Sequence, residues 1–484
     1  MHATAQQWHR PPALLSESEL RSIHEASLWI LEEVGVQMSL SPERLQELKT
    51  LGARIDFGQS RVFFEPNQVD QALEQAPARY TLCARNGQQD LVLDGTRPAL
   101  CLDGTGLQVR DLETGAVRSS KYADLARAVR LADALPEIGF LWPCVSAQDK
   151  PAAVQPLYEL LAMLENSGKH VQAMTAVTPS AARDSAAMAA MVCGGEQALK
   201  KRPILSSFQC SISPLSYDGD SLEAALIFAR AGVPAGFMIM PIGCATAPAS
   251  LGGQLAQGNA ELLAGITFLQ LFCPGAPTFY GSCATEMELK KGGVTAGGPE
   301  DVLLQAAFSQ LARFYSLPSN IGTFATKAPH GNWQAGVENT LSGVLSLFCG
   351  ADMLCGAGLM GGATLFACEQ LIMDCEIFSM LQHTARGMRI DPESLALDAI
   401  REVGPGGHFL TRSETLSGMR ELWQPEIFHR GDLSEWRARG EPAPWILAGD
   451  KARRLLLEHE PPPLEAAAEL RRYVDAAARQ AGET

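Results

Sequence analysis

The sequence predicts a (β/α)8 TIM barrel carrying an N-terminal α+β lobe and a C-terminal helical extension. Three observations lead there. Seven apolar runs of strand length begin at intervals of roughly 30–45 residues, and amphipathic helical stretches lie between them. Such runs, joined by helices, imply a parallel sheet covered on both faces. An eighth run, "ALCLDGTG" at 99–106, completes the count for a closed barrel. A doubly wound open sheet is the alternative, but the glycine-rich phosphate turn that usually follows its first strand is missing.

The elements follow in order. "SESELRSIHEASLWILEEVG" begins with a capping box, Ser16 to Glu19, and stops at Gly35. A short helix ends at Gly52, "ARIDF-GQS-RVFF" reads as a hairpin, and further short strands follow to residue 119. A helix at 121–135 leads onward. The strand runs are then "IGFLWPCVSA", "KHVQAMTAV", "PILSSFQCSIS", "PAGFMIMPIG", "PTFYGSCA", "LPSNIGTFA" and "ADMLCGAGLM". Helices are expected at 152–167, 180–192, 218–231, 254–272, 300–315, 333–348 and 367–387. This divides the chain into a lobe at 1–136, with the option of one barrel strand, a barrel at 137–388, and an extension at 389–484 that packs on it.

Composition narrows the function. A length of 484 residues with 46% hydrophobic and 19% charged residues is that of a folded protein. A net charge of −15 lacks the basic footprint that nucleic acid demands. The longest apolar runs, such as "LLAGITFLQLFC" (262–273), fall short of the ~20 residues that span a bilayer. "MHATAQQWHRPP" lacks a secretory pattern. Most of the twelve cysteines, among them Cys210, Cys273, Cys349, Cys355 and Cys375, sit in apolar segments. Free thiols so placed fit a reducing cytoplasm, where the protein is expected.

Barrel chemistry belongs at the C-terminal ends of the strands. Those ends carry Trp142, Gln209, Tyr280 and Phe324, and then "TKAPHGNWQAG", which crowds Lys327, His330, Asn332 and Trp333 into one loop. Glu369 and Asp374 follow the last strand. Cys368, Cys375 and His383 could share a helix stripe, but no second close pair completes a zinc site, so no metal is expected. His408, in "GPGGHF", is a loop residue with either a surface or a substrate-covering role. No P-loop, nucleophile elbow or cobalt-ligating DxHxxG is present.

Residues 208–282, above all "APASLGGQLAQGNAE", resemble the trimethylamine methyltransferase family. So do "LSESELRSIHEASLWILEEVGV", "ADLARAVRLADALPEIGF", "LARFYSLPSN" and "DAIREVGPGGHFL", in order along nearly the whole chain. The resemblance implies a (β/α)8 barrel that passes a methyl group from an amine to Co(I) of a separate corrinoid-binding protein. This chain then holds no corrinoid (cobalamin) permanently, and a homo-oligomer is expected. Founding members carry pyrrolysine; this chain, with ordinary residues throughout, resembles the branch acting on quaternary amines such as glycine betaine, proline betaine or carnitine.

On that reading Trp333, Tyr280 and Phe324 wall a trimethylammonium group, while Lys327, His330 or Asn332 meet a carboxylate and Gln209 orients the headgroup. Two stretches depart from the family pattern. "TKAPH" places His330 where an aspartate is usual, and "EMELKKGG" replaces Asp-Met-Arg. A histidine there favours an anionic tail, hence a betaine. Two other functions stay open: a non-catalytic quaternary-amine sensor, and a demethylase of a tertiary amine. The demethylase needs a general acid, for which Glu369 and His330 are the candidates.

Overall fold

Eight parallel strands close into a barrel in chain order. They are β1 (Ala99–Leu102), β2 (Ile138–Leu141), β3 (His170–Gln172), β4 (Leu205–Cys210), β5 (Ala235–Ile239), β6 (Tyr280–Ser282), β7 (Ser319–Gly322) and β8 (Met353–Ala357). The pairing Met353↔Ala99 between β8 and β1 closes the ring. Nearly every strand residue is buried, because helices cover the outer face and side chains fill the lumen. This computed structural model describes residues 13–482 except positions 103 and 105; the leaderless stretch 1–12 lies outside the described residues.

The lobe before the barrel starts as its sequence requires. Ser16 Oγ accepts from Glu19 N, and Glu19 Oε2 accepts from Ser16 N at 2.7 Å. The helical run ends where Gly35 takes φ 73°, a conformation that suits glycine. Strand Val36–Met38 then pairs antiparallel with Arg61–Phe63 and parallel with Ser216–Tyr217, so the loop after β4 adds a strand to the lobe's sheet. Helices Glu17–Trp29 and Pro66–Gln75 pack on Leu251–Phe272, the helix after β5.

After helix Cys368–Ala385 the chain runs through three short helices, Leu397–Val403, Ser413–Glu421 and Leu433–Ala438, whose residues are mostly exposed. Helix Pro444–Glu458 packs on Cys368–Ala385 and on Tyr122–Asp133, and Ala467–Gly482 packs on Gln155–Asn166. Among the described residues no helix is long and apolar enough to cross a membrane.

Candidate active site at the barrel mouth

Side chains alternate along a strand, and laterally paired residues of parallel strands share a face. Phe237 faces outward, since a Cβ on Gly265 of helix Leu251–Phe272 would lie 2.5 Å from its ring. Its lateral partners Gln209 and Tyr280 therefore face outward too. Phe208, Gly236, Met238 and Gly281 face the lumen, as does Asn320, the partner of Gly281. Phe279 also points inward, where a Cβ on Gly236 would meet its ring at 2.2 Å.

An aromatic wall results. The rings of Trp142 and Phe208 lie 4.9 Å apart, and those of Phe208 and Phe279 lie 5.9 Å apart. Trp142 directly follows β2 and so stands at the mouth. Four buried polar atoms on lumen-facing residues have no hydrogen-bond partner in the chain: Trp142 Nε1, Gln172 Oε1, and Oδ1 and Nδ2 of Asn320. Leaving such an atom unpaired costs about 1–3 kcal/mol, which a polar ligand can recover. Lower down, His170 is held by Cys83 O at 3.0 Å and Ser206 Oγ at 2.8 Å. Burial pushes its imidazole down to about 4, so it stays neutral.

The loop after β7 reverses part of the sequence reading. Trp333 is 86% exposed and opens helix Trp333–Phe348, so it walls nothing within this chain. Asn332 is the N-cap of that helix, its Oδ1 accepting from Ala335 N at 3.2 Å. Lys327 is exposed, with Nζ beside Gly362. His330 is half-buried, and its ring stacks 4.3 Å from that of Trp445. Glu338 ties the loop down, accepting from Thr326 Oγ1, from Lys327 N at 2.9 Å and from Gln334 Nε2 at 2.7 Å.

Three further assignments need correction. Tyr280 lies behind the sheet, where its hydroxyl donates to Asn259 Oδ1 at 2.7 Å. Gln209 is fully buried on the same outer face, its amide unpartnered, and does not reach the lumen. Phe324 takes φ 47°, and its ring packs against Gly343 and Phe378 between two helices. Glu369, the candidate acid, has its Cγ 3.5 Å from the Cβ position of Gly449, so it faces helix Pro444–Glu458. Burial raises its pKa, opposed by Arg110 and Arg453.

The structure adds residues to this region. Asp374 is fully buried and accepts from Asn339 Nδ2 at 2.7 Å, Gln370 Nε2 at 2.8 Å and Gly358 N at 2.9 Å. Burial outweighs those donors and pushes its carboxyl up to about 7. Trp445 arrives from the extension, more than a hundred residues from the loop it touches, and nothing local in the sequence marks it. Cys368 and Cys375 are free buried thiols; burial pushes Cys368 up to about 12. Among the described residues no group of three or more His, Cys, Asp or Glu side chains is placed to hold a metal.

The profile of the trimethylamine methyltransferase (MTTB) family matches residues 2–482. The chain belongs to the trimethylamine methyltransferase family. It is 32% identical to the trimethylamine methyltransferase MttB of Desulfitobacterium hafniense (strain DSM 10664 / DCB-2), over 95% of this chain and 93% of that protein. It is also 32% identical to the glycine betaine methyltransferase of Desulfitobacterium hafniense (strain Y51), over 97% of this chain and 98% of that protein. The crystal structure of the Methanosarcina barkeri monomethylamine methyltransferase (MtmB) superposes with a TM-score of 0.57. It covers 93% of this chain and 89% of that one at 11% identity, a likeness of fold alone. Family membership makes this protein an enzyme of the methyltransferase class.

Proposed function

We propose that the protein moves a methyl group from a betaine-type quaternary amine to Co(I) of a corrinoid held by a separate protein. The observation that carries the substrate half is the lumen wall of Trp142 and Phe208 beside the unpartnered atoms of Trp142, Gln172 and Asn320. An indole face holds a quaternary ammonium with about 0.5–2 kcal/mol, more as water is excluded. Indole N–H and amide N–H groups can meet a carboxylate, as can Lys327 and His330 on the loop above. The same pair of features, one apolar and one donating, suits a zwitterion better than a bare trimethylamine.

The lumen-facing residues fit a nucleophile delivered from outside. Met238 and Cys283 meet at 3.6 Å between their sulfurs, and the only imidazole identified above in the lumen, His170, has both nitrogens engaged. A Co(I) corrinoid, when presented, supplies the electron pair for the new bond to the methyl carbon. The C–N pair stays on nitrogen, so the departing tertiary amine needs no proton. The chain's own task is then to hold the cation, aim its methyl group and exclude water. The direction of Glu369, toward the extension, disfavours the tertiary-amine demethylase, which needs an acid at nitrogen.

The test is an absorbance assay with purified protein, free cob(I)alamin and a panel of glycine betaine, proline betaine, carnitine, choline and trimethylamine. Loss of the Co(I) band is expected with one carboxylate-bearing quaternary amine and not with trimethylamine. Trp142→Leu should raise the KM of that substrate on the order of tenfold. Turnover of trimethylamine alone would overturn the betaine reading. Thermal stabilisation by a quaternary amine without turnover, even with a corrinoid protein present, would favour a sensor.

A further inference from the structure

Helix Pro444–Glu458 runs the height of the barrel in the slot between Tyr122–Asp133 and Cys368–Ala385. Near its end, Arg130 Nη2 donates to Leu456 O at 2.8 Å, and His459 Nε2 lies 2.8 Å from Asp133 Oδ2. Midway, Arg453 Nη2 donates to Leu112 O at 2.8 Å. Anchored in this way, the helix delivers its second residue, Trp445, to the mouth. The indole packs on Met360, Leu365 and Ala367 of the segment after β8. On another side it stacks on His330, with centroids 4.3 Å apart and planes at 34°.

The neighbouring residue leaves no slack. A Cβ on Gly331 would lie 2.2 Å from the indole and 2.8 Å from Gln370 Oε1. The loop backbone is therefore pressed between the extension and helix Cys368–Ala385. Gln370 is a second, independent sign of a ligand at this place. It is fully buried, Asp374 fixes its Nε2, and its Oε1 has no hydrogen-bond partner in the chain. His330 Nδ1 sits 3.2 Å from Gly331 O, which leaves Nε2 as the ring nitrogen for a ligand.

We propose that Trp445 is a positioning residue that sets selectivity for the substrate's carboxylate tail by clamping the His330 imidazole. The inference rests on the betaine reading for the identity of that tail. Stacking removes the rotamer freedom that an exposed histidine would lose on binding, a cost of about 0.5–1.5 kcal/mol for a mobile side chain. The extension thereby supplies a part of the active site that the barrel lacks, and it acts through His330 rather than on the reacting atoms.

The test uses the full-length protein with Trp445→Leu, Trp445→Phe, His330→Ala and the Leu/Ala double variant, each checked for a cooperative thermal transition. Two readouts are taken. Without substrate, the His330 Cε1–H resonance should carry an indole ring-current shift that Trp445→Leu abolishes. With glycine betaine, Trp445→Leu should raise KM on the order of tenfold with kcat within about twofold, and Trp445→Phe should restore most of it. On the His330→Ala background, Trp445→Leu should add nothing. A resonance that does not move overturns the clamp. A resonance that moves, with additive effects on KM or equal losses in kcat, overturns the role in selectivity. The first readout needs no substrate, so failure of the betaine reading alone leaves the clamp standing.

Discussion

At the scale of single residues, the site turns on one step of strand register. Phe279 and Tyr280 are adjacent aromatics at the start of β6, and alternation sends one into the lumen and the other behind the sheet. The sequence offers no local cue, because both positions are apolar and both become buried. Tyr280 goes outward because a polar partner waits there. Asn259 accepts its hydroxyl and in turn donates to Ser27 Oγ at 2.9 Å and Tyr315 Oη at 2.8 Å. Tyr280→Phe would leave Asn259 Oδ1 buried and unpaired, a loss of about 1–3 kcal/mol. The expected result is a lower denaturation midpoint with KM unchanged for whichever amine is turned over. A raised KM at unchanged stability would instead put Tyr280 in the substrate site.

At the scale of elements, the segment that carries the family resemblance also makes the closest helix–sheet contact. In Leu251–Phe272, Gly258 and Gly265 are seven residues apart and so share a face. Cβ positions there would meet Ile239 Cδ1 at 2.6 Å and Phe237 at 2.5 Å. The glycines let the helix approach β5, and Gly265→Ala should cost about 1–3 kcal/mol through overpacking, read as a fall in the urea midpoint at constant slope. Helices and strands of this kind were legible, since burial on both faces writes long apolar runs. The expected helix at 333–348 coincides with Trp333–Phe348. The tip of "TKAPHGNWQAG" was legible as a loop at the mouth but not in its roles. Asn332 was claimed by a cap and Trp333 by a helix start, which are local demands that composition cannot separate from binding. Trp142 was visible as a strand-end aromatic; Trp445 was not, because only tertiary packing brings it to His330.

At the scale of the whole molecule, two buried ionisable groups tie stability to pH in opposite directions. The carboxyl of Asp374, raised by burial to about 7, keeps its proton in the folded protein while an unfolded aspartate, with a pKa of about 3.9, loses its own. The folded state then binds more protons, so this group lowers stability as pH rises toward 7 and relieves it as pH falls toward 4. His170, lowered by burial to about 4, stays neutral in the fold while an unfolded histidine with a pKa of about 6.5 takes up a proton. It therefore lowers stability as pH falls from about 6.5 to 4. The two windows overlap, so neither slope is visible in the parent protein. Variants separate them. Relative to the parent, Asp374→Asn should lose ground in Tm as pH drops from 7 to 5, and His170→Asn should gain it. The slope of each difference carries the argument and its offset does not, because both substitutions also disturb hydrogen bonds. Parallel curves for Asp374→Asn and the parent would mean that its three N–H donors hold Asp374 ionised, with burial the lesser effect.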